Sequence, residues 1–182
     1  INQKSEETNA NKKEKIIALL PGSRKQEIEK MLPTMIETSK YFPEYKFIVA
    51  GVDSIQPKYY QKLLPKHIDI IYNKTYDLLQ QSDIAIVTSG TATLEAALLE
   101  VPQIVCYKSN YISYLIAKRV IKVKYISLVN LIFNKKIVQE LIQKDMNVAQ
   151  LRKELEKICN NIEYRNSIFA NYKKLKMILG TH

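Results

Sequence analysis

The sequence predicts an α/β fold built on an open, mostly parallel sheet with helices on both faces. Three observations predict it. Short apolar runs alternate with amphipathic stretches from Ile16 to Tyr107. Runs such as Ile84–Val87 are apolar at every position, as strands covered on both faces are. Three of the four glycines, Gly22, Gly51 and Gly90, come directly after such runs, where a strand must turn. A length of 182 residues suits one domain. A composition 46% hydrophobic and 25% charged excludes a disordered or collagen-like chain.

Residues 1–15 are polar, rich in Asn, Lys and Glu, and read as a linker or disordered lead-in. Ile16–Leu20 is then a buried strand that meets a turn at Pro21-Gly22. Ser23 and Gln26 have capping-box spacing, and Ile28, Met31, Leu32, Met35 and Ile36 mark one face of the helix they open. Lys46–Ala50 is the second strand, closed by Gly51; Gln56–Leu64 is a helix and Ile68–Tyr72 the third strand. Tyr76–Gln81 is a short helix with Thr75 or Asn73 ahead of it, and Ile84–Val87 is the fourth strand. Thr91–Glu100 is a helix behind the Ser89-Gly90-Thr91 turn, and Pro102 starts the fifth strand, Gln103–Tyr107. Ser109–Val123 reads as a helix and Tyr125–Val129 as a sixth, weaker strand. Beyond it the pattern is a helical C-terminal extension: Lys135–Gln143, Val148–Asn160 and Ile162–Leu179, with Gly180 as a C-cap. The last helix repeats apolar residues at Ile168, Tyr172, Leu175 and Leu179, the spacing of a core-facing stripe.

Charge narrows the function classes. The net charge of +10 is concentrated between Val101 and Gln139, which hold no acid but do hold Lys108, Lys118, Arg119, Lys122, Lys124, Lys135 and Lys136. Such a field attracts phosphates of nucleotides, nucleic acid or lipid head groups; a solvated helix face is the plainer reading. No apolar run reaches the roughly 18 residues of a membrane-spanning helix, and the N-terminus is too polar for a signal peptide. Cys106 and Cys159 make no disulfide framework, and with only His67 and His182 beside them no metal-ligand cluster is expected. A reduced, cytoplasmic setting follows as the default.

In an open α/β sheet, ligands bind at the loops on the carboxyl ends of the strands. Gly22 and Gly90 each open directly into a helix, whose free N–H groups and partial positive charge suit a phosphate. Leu20-Pro21-Gly22-Ser23-Arg24 therefore reads as one half of a phosphate cradle, with Arg24 supplying a charge-assisted pair. Thr88-Ser89-Gly90-Thr91-Ala92-Thr93 reads as the other half. Glu95, one turn into the second helix, is spaced to bond both hydroxyls of a ribose; a solvent-facing acid complementing the helix dipole is the alternative. Neither loop is a Walker A or G-x-G-x-x-G sequence, so ordinary turn chemistry remains open for each.

Four motifs stand in order at compatible spacings: Leu19-Leu20-Pro21-Gly22-Ser23-Arg24 with Glu27-Ile28; Thr88-Ser89-Gly90-Thr91-Ala92-Thr93-Leu94-Glu95; the strand from Pro102 to Tyr107-Lys108; and Tyr125-Ile126-Ser127-Leu128-Val129-Asn130-Leu131. In these the chain resembles the C-terminal half of bacterial lipid-A-disaccharide synthase, from about Ile16 to Met177. The resemblance implies a Rossmann-like domain, one half of a glycosyltransferase B fold. Residues 16–182 would be the nucleotide-sugar (donor) binding domain, without the acceptor-binding N-terminal domain. The family transfers 2,3-diacylglucosamine from its UDP donor to the anionic lipid 2,3-diacylglucosamine 1-phosphate, with inversion and without a metal or other cofactor.

Carried over by position, the resemblance puts the donor diphosphate at Gly22, Ser23 and Arg24 and at Ser89, Gly90, Thr91 and Ala92. It puts Glu95 on the ribose and Asn130 facing the cleft, and makes Arg24 the group that stabilises the departing UDP. It implies a peripheral protein at the cytoplasmic face of the inner membrane of a Gram-negative bacterium. Ser109–Val123, basic and amphipathic with Tyr111 and Tyr114, then suits either a sheet-covering helix with snorkelling lysines or contact with anionic membrane through residues 109–124. With the other domain absent, the last helix suits a contact between two copies. The chain holds no obvious general base, so by itself it is expected to bind UDP weakly and to catalyse nothing. Two further readings stay open: the UDP-binding domain of another UDP-sugar transferase or epimerase, and a basic nucleic-acid-binding module, which carries no named nucleic-acid motif.

Overall fold

The structure, a computed structural model, describes residues 14–109 and 124–180. Among these residues six strands form one sheet: β1 Ile16–Leu20, β2 Lys46–Gly51, β3 Asp69–Tyr72, β4 Ile84–Thr88, β5 Gln103–Tyr107 and β6 Gln139–Ile142. All five pairings are parallel, in the order β3-β2-β1-β4-β5-β6. Central β1 sets Ile17 opposite Phe47 of β2 and opposite Ile84 of β4. The expected open, mostly parallel sheet is therefore the fold observed. The strand order reverses between β1 and β4, which opens a crevice there at the carboxyl edge.

Among the described residues seven α-helices cover the two faces: α1 Lys25–Ser39, α2 Pro57–Leu63, α3 Thr75–Gln81, α4 Ala92–Leu98, α5 Leu128–Phe133, α6 Val148–Asn160 and α7 Ile162–Leu179. Because strand side chains alternate, each central strand feeds two cores. Ile17, Leu19, Ile84 and Ile86 pack with Met31 and Leu32 of α1 and Leu151 and Leu155 of α6. Ala18, Leu20, Ala85 and Val87 pack with Leu78 and Leu79 of α3 and Ala96 of α4. A third cluster joins Val105 to Ile168, Tyr172 and Leu175 of α7. The predicted face of α1 is the buried one: Ile28, Met31, Leu32 and Met35 are fully buried, and Ile36 packs beside them. The α7 stripe holds through Leu175, while Leu179 is exposed together with Met177 and Ile178. Gly180 ends α7 at φ +69°, the C-cap conformation expected of it.

Two expected elements are different in kind. Tyr125–Val129 is not the sixth strand: Ser127 caps a helix, α5, its hydroxyl accepting from the Asn130 N–H at 3.3 Å. Lys135–Gln143 is not a helix: its Gln139–Ile142 portion is β6, extending the sheet beside β5 with Cys106 opposite Leu141. Smaller shifts have local causes. The helix cap falls on Arg24 with Glu27 rather than on Ser23 with Gln26. Helix α4 stops at Leu98, short of Glu100, because Glu100 takes φ +57° to turn the chain into Val101. The expected helix at Ser109–Val123, with its membrane contact, lies outside the described residues except for Ser109, and the lead-in except for Glu14 and Lys15. No described helix is long and apolar enough to cross a membrane.

Candidate functional site

The loop after β1 owes its shape to Gly22, which sits at φ +107°, a region closed to other residues without strain. A Cβ there would stand 2.8 Å from the Cβ of Glu27, which folds back over the loop. The Glu27 carboxylate reaches the loop backbone: its Oε2 accepts from the Ser23 N–H at 3.1 Å and from the Arg24 N–H at 3.2 Å. Arg24 lies 3.5 Å from Glu27 Oε1, with its side chain 83% exposed and so free to meet a ligand. The Ser54 hydroxyl donates to the Ser23 carbonyl at 3.4 Å, tying this loop to the one after β2.

The loop after β4 is held from three sides. The Ser89 N–H donates to the Cys106 carbonyl at 3.0 Å, and the Ser89 hydroxyl donates to the Ile126 carbonyl at 2.9 Å. The buried Thr93 hydroxyl donates to the Gly90 carbonyl at 2.8 Å. The Gln103 amide in turn donates to the Thr93 carbonyl at 2.9 Å and to the Tyr172 hydroxyl at 3.1 Å. A Cβ added at Gly90 would meet nothing nearer than the Thr88 carbonyl at 4.0 Å, so packing does not demand glycine there.

The two loops face each other across the β1–β4 crevice. A cavity of about 340 Å³ lies between them, lined by Gly22, Ser23, Arg24, Ser89, Gly90, Thr91, Ala92 and Glu95. Its size falls in the small-ligand range of about 300–1,000 Å³. Leu20, Glu27, Ala50, Val52, Thr75 and Thr88 complete the wall. Every residue expected at the diphosphate and ribose is therefore in one place. Ser89 contributes less than expected, since its hydroxyl proton is already committed to Ile126.

Asn130 is elsewhere. It is fully buried and absent from the lining of the cavity, and its amide is used up by protein. Its Oδ1 accepts from the Ile137 N–H at 2.7 Å and the Val138 N–H at 3.0 Å, and its Nδ2 donates to the Val138 carbonyl and to Glu140, each at 2.9 Å. Glu140 also accepts from the N–H groups of Ile126 and Ser127 and from the Ser127 hydroxyl at 2.7 Å. Rather than lining the cavity between the two loops, Asn130 staples the chain leading into β6 onto α5, beside a second cavity lined by Tyr125, Lys136 and Glu140. The link to the cavity is indirect, through Ile126 and Ser89.

Sequence reasoning quoted Glu27 and Thr88 within their motifs but gave neither a role of its own. Glu27 stands at the third helical position, where a carboxylate reaching back to the cap is a recognisable pattern. Thr88 closes β4, is only 6% exposed, and among the described residues nothing bonds its Oγ1. A buried hydroxyl without a partner costs stability, so Thr88→Val is expected to raise the unfolding free energy by about 1 kcal/mol. A lower urea midpoint for that variant would show that the hydroxyl is bonded after all. Burial pushes the thiols of Cys106 and Cys159 above the usual range, so neither is an activated nucleophile. Among the described residues no group of three His, Cys, Asp or Glu is placed to hold a metal ion.

This architecture defines a class. The chain superposes on a spinosyn rhamnosyltransferase complexed with thymidine diphosphate with a TM-score of 0.65 at 13% identity, covering 91% of this chain and 42% of that one. It superposes on the UDP-GlcNAc 2-epimerase of Neisseria meningitidis bound to UDP-GlcNAc with a TM-score of 0.57 at 16% identity, covering 93% and 44%. The fold is thus that of one half of a glycosyltransferase B-type protein. Residues 1–178 match the family model described as lipid-A-disaccharide synthetase. The lipid-A-disaccharide synthase of Acinetobacter baylyi is 36% identical over 186 residues, covering 90% of this chain and 46% of that protein. That of Psychromonas ingrahamii is 41% identical over 148 residues, covering 75% and 38%. The chain belongs to the lipid-A-disaccharide synthetase family and spans about half the length of the curated relatives it matches.

Proposed function

We propose that this chain, from residue 16 onward, is the donor-binding half of a lipid-A-disaccharide synthase, and that its cavity holds the diphosphate of a UDP-linked acylated glucosamine. The carrying observation is that two loops far apart in sequence bring Gly22, Ser23, Arg24, Ser89, Gly90, Thr91, Ala92 and Glu95 to one cavity. Amides at the starts of α1 and α4 and the exposed Arg24 guanidinium supply donors for the phosphate oxygens. Glu95, exposed on the first turn of α4 with no described residue bonding its carboxylate, takes the ribose hydroxyls. As the sugar leaves, negative charge grows on the β-phosphate, and each fixed donor that meets it is worth about 3 kcal/mol.

The complete enzyme would pass the diacylglucosamine to a lipid acceptor, 2,3-diacylglucosamine 1-phosphate, with inversion. The acceptor site and the general base belong to the half that is not in this chain. The acid-free basic stretch would lie against anionic lipid at the cytoplasmic face of the inner membrane. The exposed Met177, Ile178 and Leu179 would form a contact between two copies. Calorimetric titration tests the core of this reading: Arg24→Ala should weaken UDP binding about tenfold, the loss expected for a charge-assisted bond. Uridine should bind both proteins alike. Equal UDP affinity for the two proteins would remove Arg24 from the site.

A further inference from the structure

The described part of the cavity wall carries more acid than base. Among the described lining residues Arg24 is the single cation, against the carboxylates of Glu27 and Glu95. Glu95 has a ribose to meet, but Glu27 does not. Its Oε2 instead sits on the Ser23 and Arg24 N–H groups, at 3.1 and 3.2 Å, in the manner of a bound anion. These are the donors that a phosphate at this loop requires. We infer that the Glu27 carboxylate is an internal stand-in for the donor's phosphate, seated on the Ser23 and Arg24 amides until the ligand displaces it. The inference rests on the proposed diphosphate site and adds what occupies that site beforehand.

Gly22 makes the seat possible, since any Cβ there would collide with the Glu27 side chain. The stand-in also keeps the loop in its binding shape, because without it two backbone donors would lack a partner. Thr88 supplies an independent sign that the cavity awaits acceptors. It lines the same wall and is 6% exposed, yet its Oγ1 has no partner among the described residues. Glu27 satisfies the loop donors but leaves that hydroxyl unmet, whereas phosphate oxygens would serve both. On displacement Glu27 gives up its amides and its 3.5 Å contact with the exposed Arg24 guanidinium together.

The test compares UDP and uridine on the 182-residue chain. Glu27→Gln keeps the size of the side chain and removes its charge, so UDP should bind at least fivefold more tightly while uridine affinity stays unchanged. A folded Glu27→Gln protein that binds UDP equally or more weakly would overturn the inference and leave the site reading intact. A chain that binds no UDP in either form would overturn both. A second measurement avoids the variant. In wild-type protein labelled for NMR, UDP should shift the Glu27 carboxyl carbon together with the Ser23 and Arg24 amides, and uridine should shift none of them. Movement of the amides with an unmoved Glu27 carboxyl would show that the carboxylate is a permanent part of the loop.

Discussion

Asn130→Ala is expected to lower the free energy of unfolding by about 3–5 kcal/mol, a large part of what holds a single domain together. Four hydrogen bonds converge on that amide, and two of them satisfy buried backbone N–H groups, those of Ile137 and Val138. Alanine leaves both donors without a partner and without water. Asn130→Asp tests the same point differently: the acceptors for Ile137 and Val138 remain, but a carboxylate replaces the group that donates to Glu140 at 2.9 Å. It too should destabilise, through like charges held close together in a buried cluster. Urea unfolding with an unchanged slope reads both effects. A loss under about 1 kcal/mol for alanine would mean that the staple is dispensable. Binding of UDP should weaken as well, because the stapled segment holds Ser89 through the Ile126 carbonyl.

The two loop glycines should behave oppositely on replacement. Gly22→Ala forces a side chain into φ +107° and into the Glu27 side chain, so the strain costs about 1–3 kcal/mol or the loop rebuilds. Either way the Ser23 and Arg24 amides leave their positions, and UDP affinity should fall more than tenfold with a lower urea midpoint. Gly90→Ala meets no such obstacle and should unfold at the parent's midpoint. Its expected defect is in binding alone, about tenfold, because a phosphate close to that backbone has no room for the methyl. Parent-like UDP binding by Gly90→Ala would show that the ligand keeps away from the second loop.

The first five strands were legible because each is an apolar run ended by Gly, Pro or a polar turn, a pattern that local chemistry alone produces. The site was legible for the same reason, since strand, glycine, hydroxyl and helix recur at β1 and β4. What escaped depends on partners distant in sequence. Tyr125-Ile126-Ser127-Leu128-Val129 is rich in strand-forming residues, yet Glu140 gathers the Ile126 and Ser127 N–H groups and the Ser127 hydroxyl into the cap of a helix. Ile137 to Ile142 carries apolar residues at spacings that suit a short helix or a strand, and the free edge of β5 decides for the strand. Asn130 could be placed by its motif but not by its surroundings, which come from residues 137–140. The seat of Glu27 needed the positive φ of Gly22, and spacing does not reveal a backbone angle.

The Gln103 amide reaches both Tyr172 in α7 and the Thr93 carbonyl just behind Gly90. Residues late in the chain thereby share a relay with the rim of the β1–β4 cavity, although they do not line it. Anyone trimming this chain to a smaller nucleotide-binding unit would find the boundary set by that relay: cutting before Tyr172 strips a buried amide of one acceptor and loosens the very corner the shortened fragment was meant to preserve.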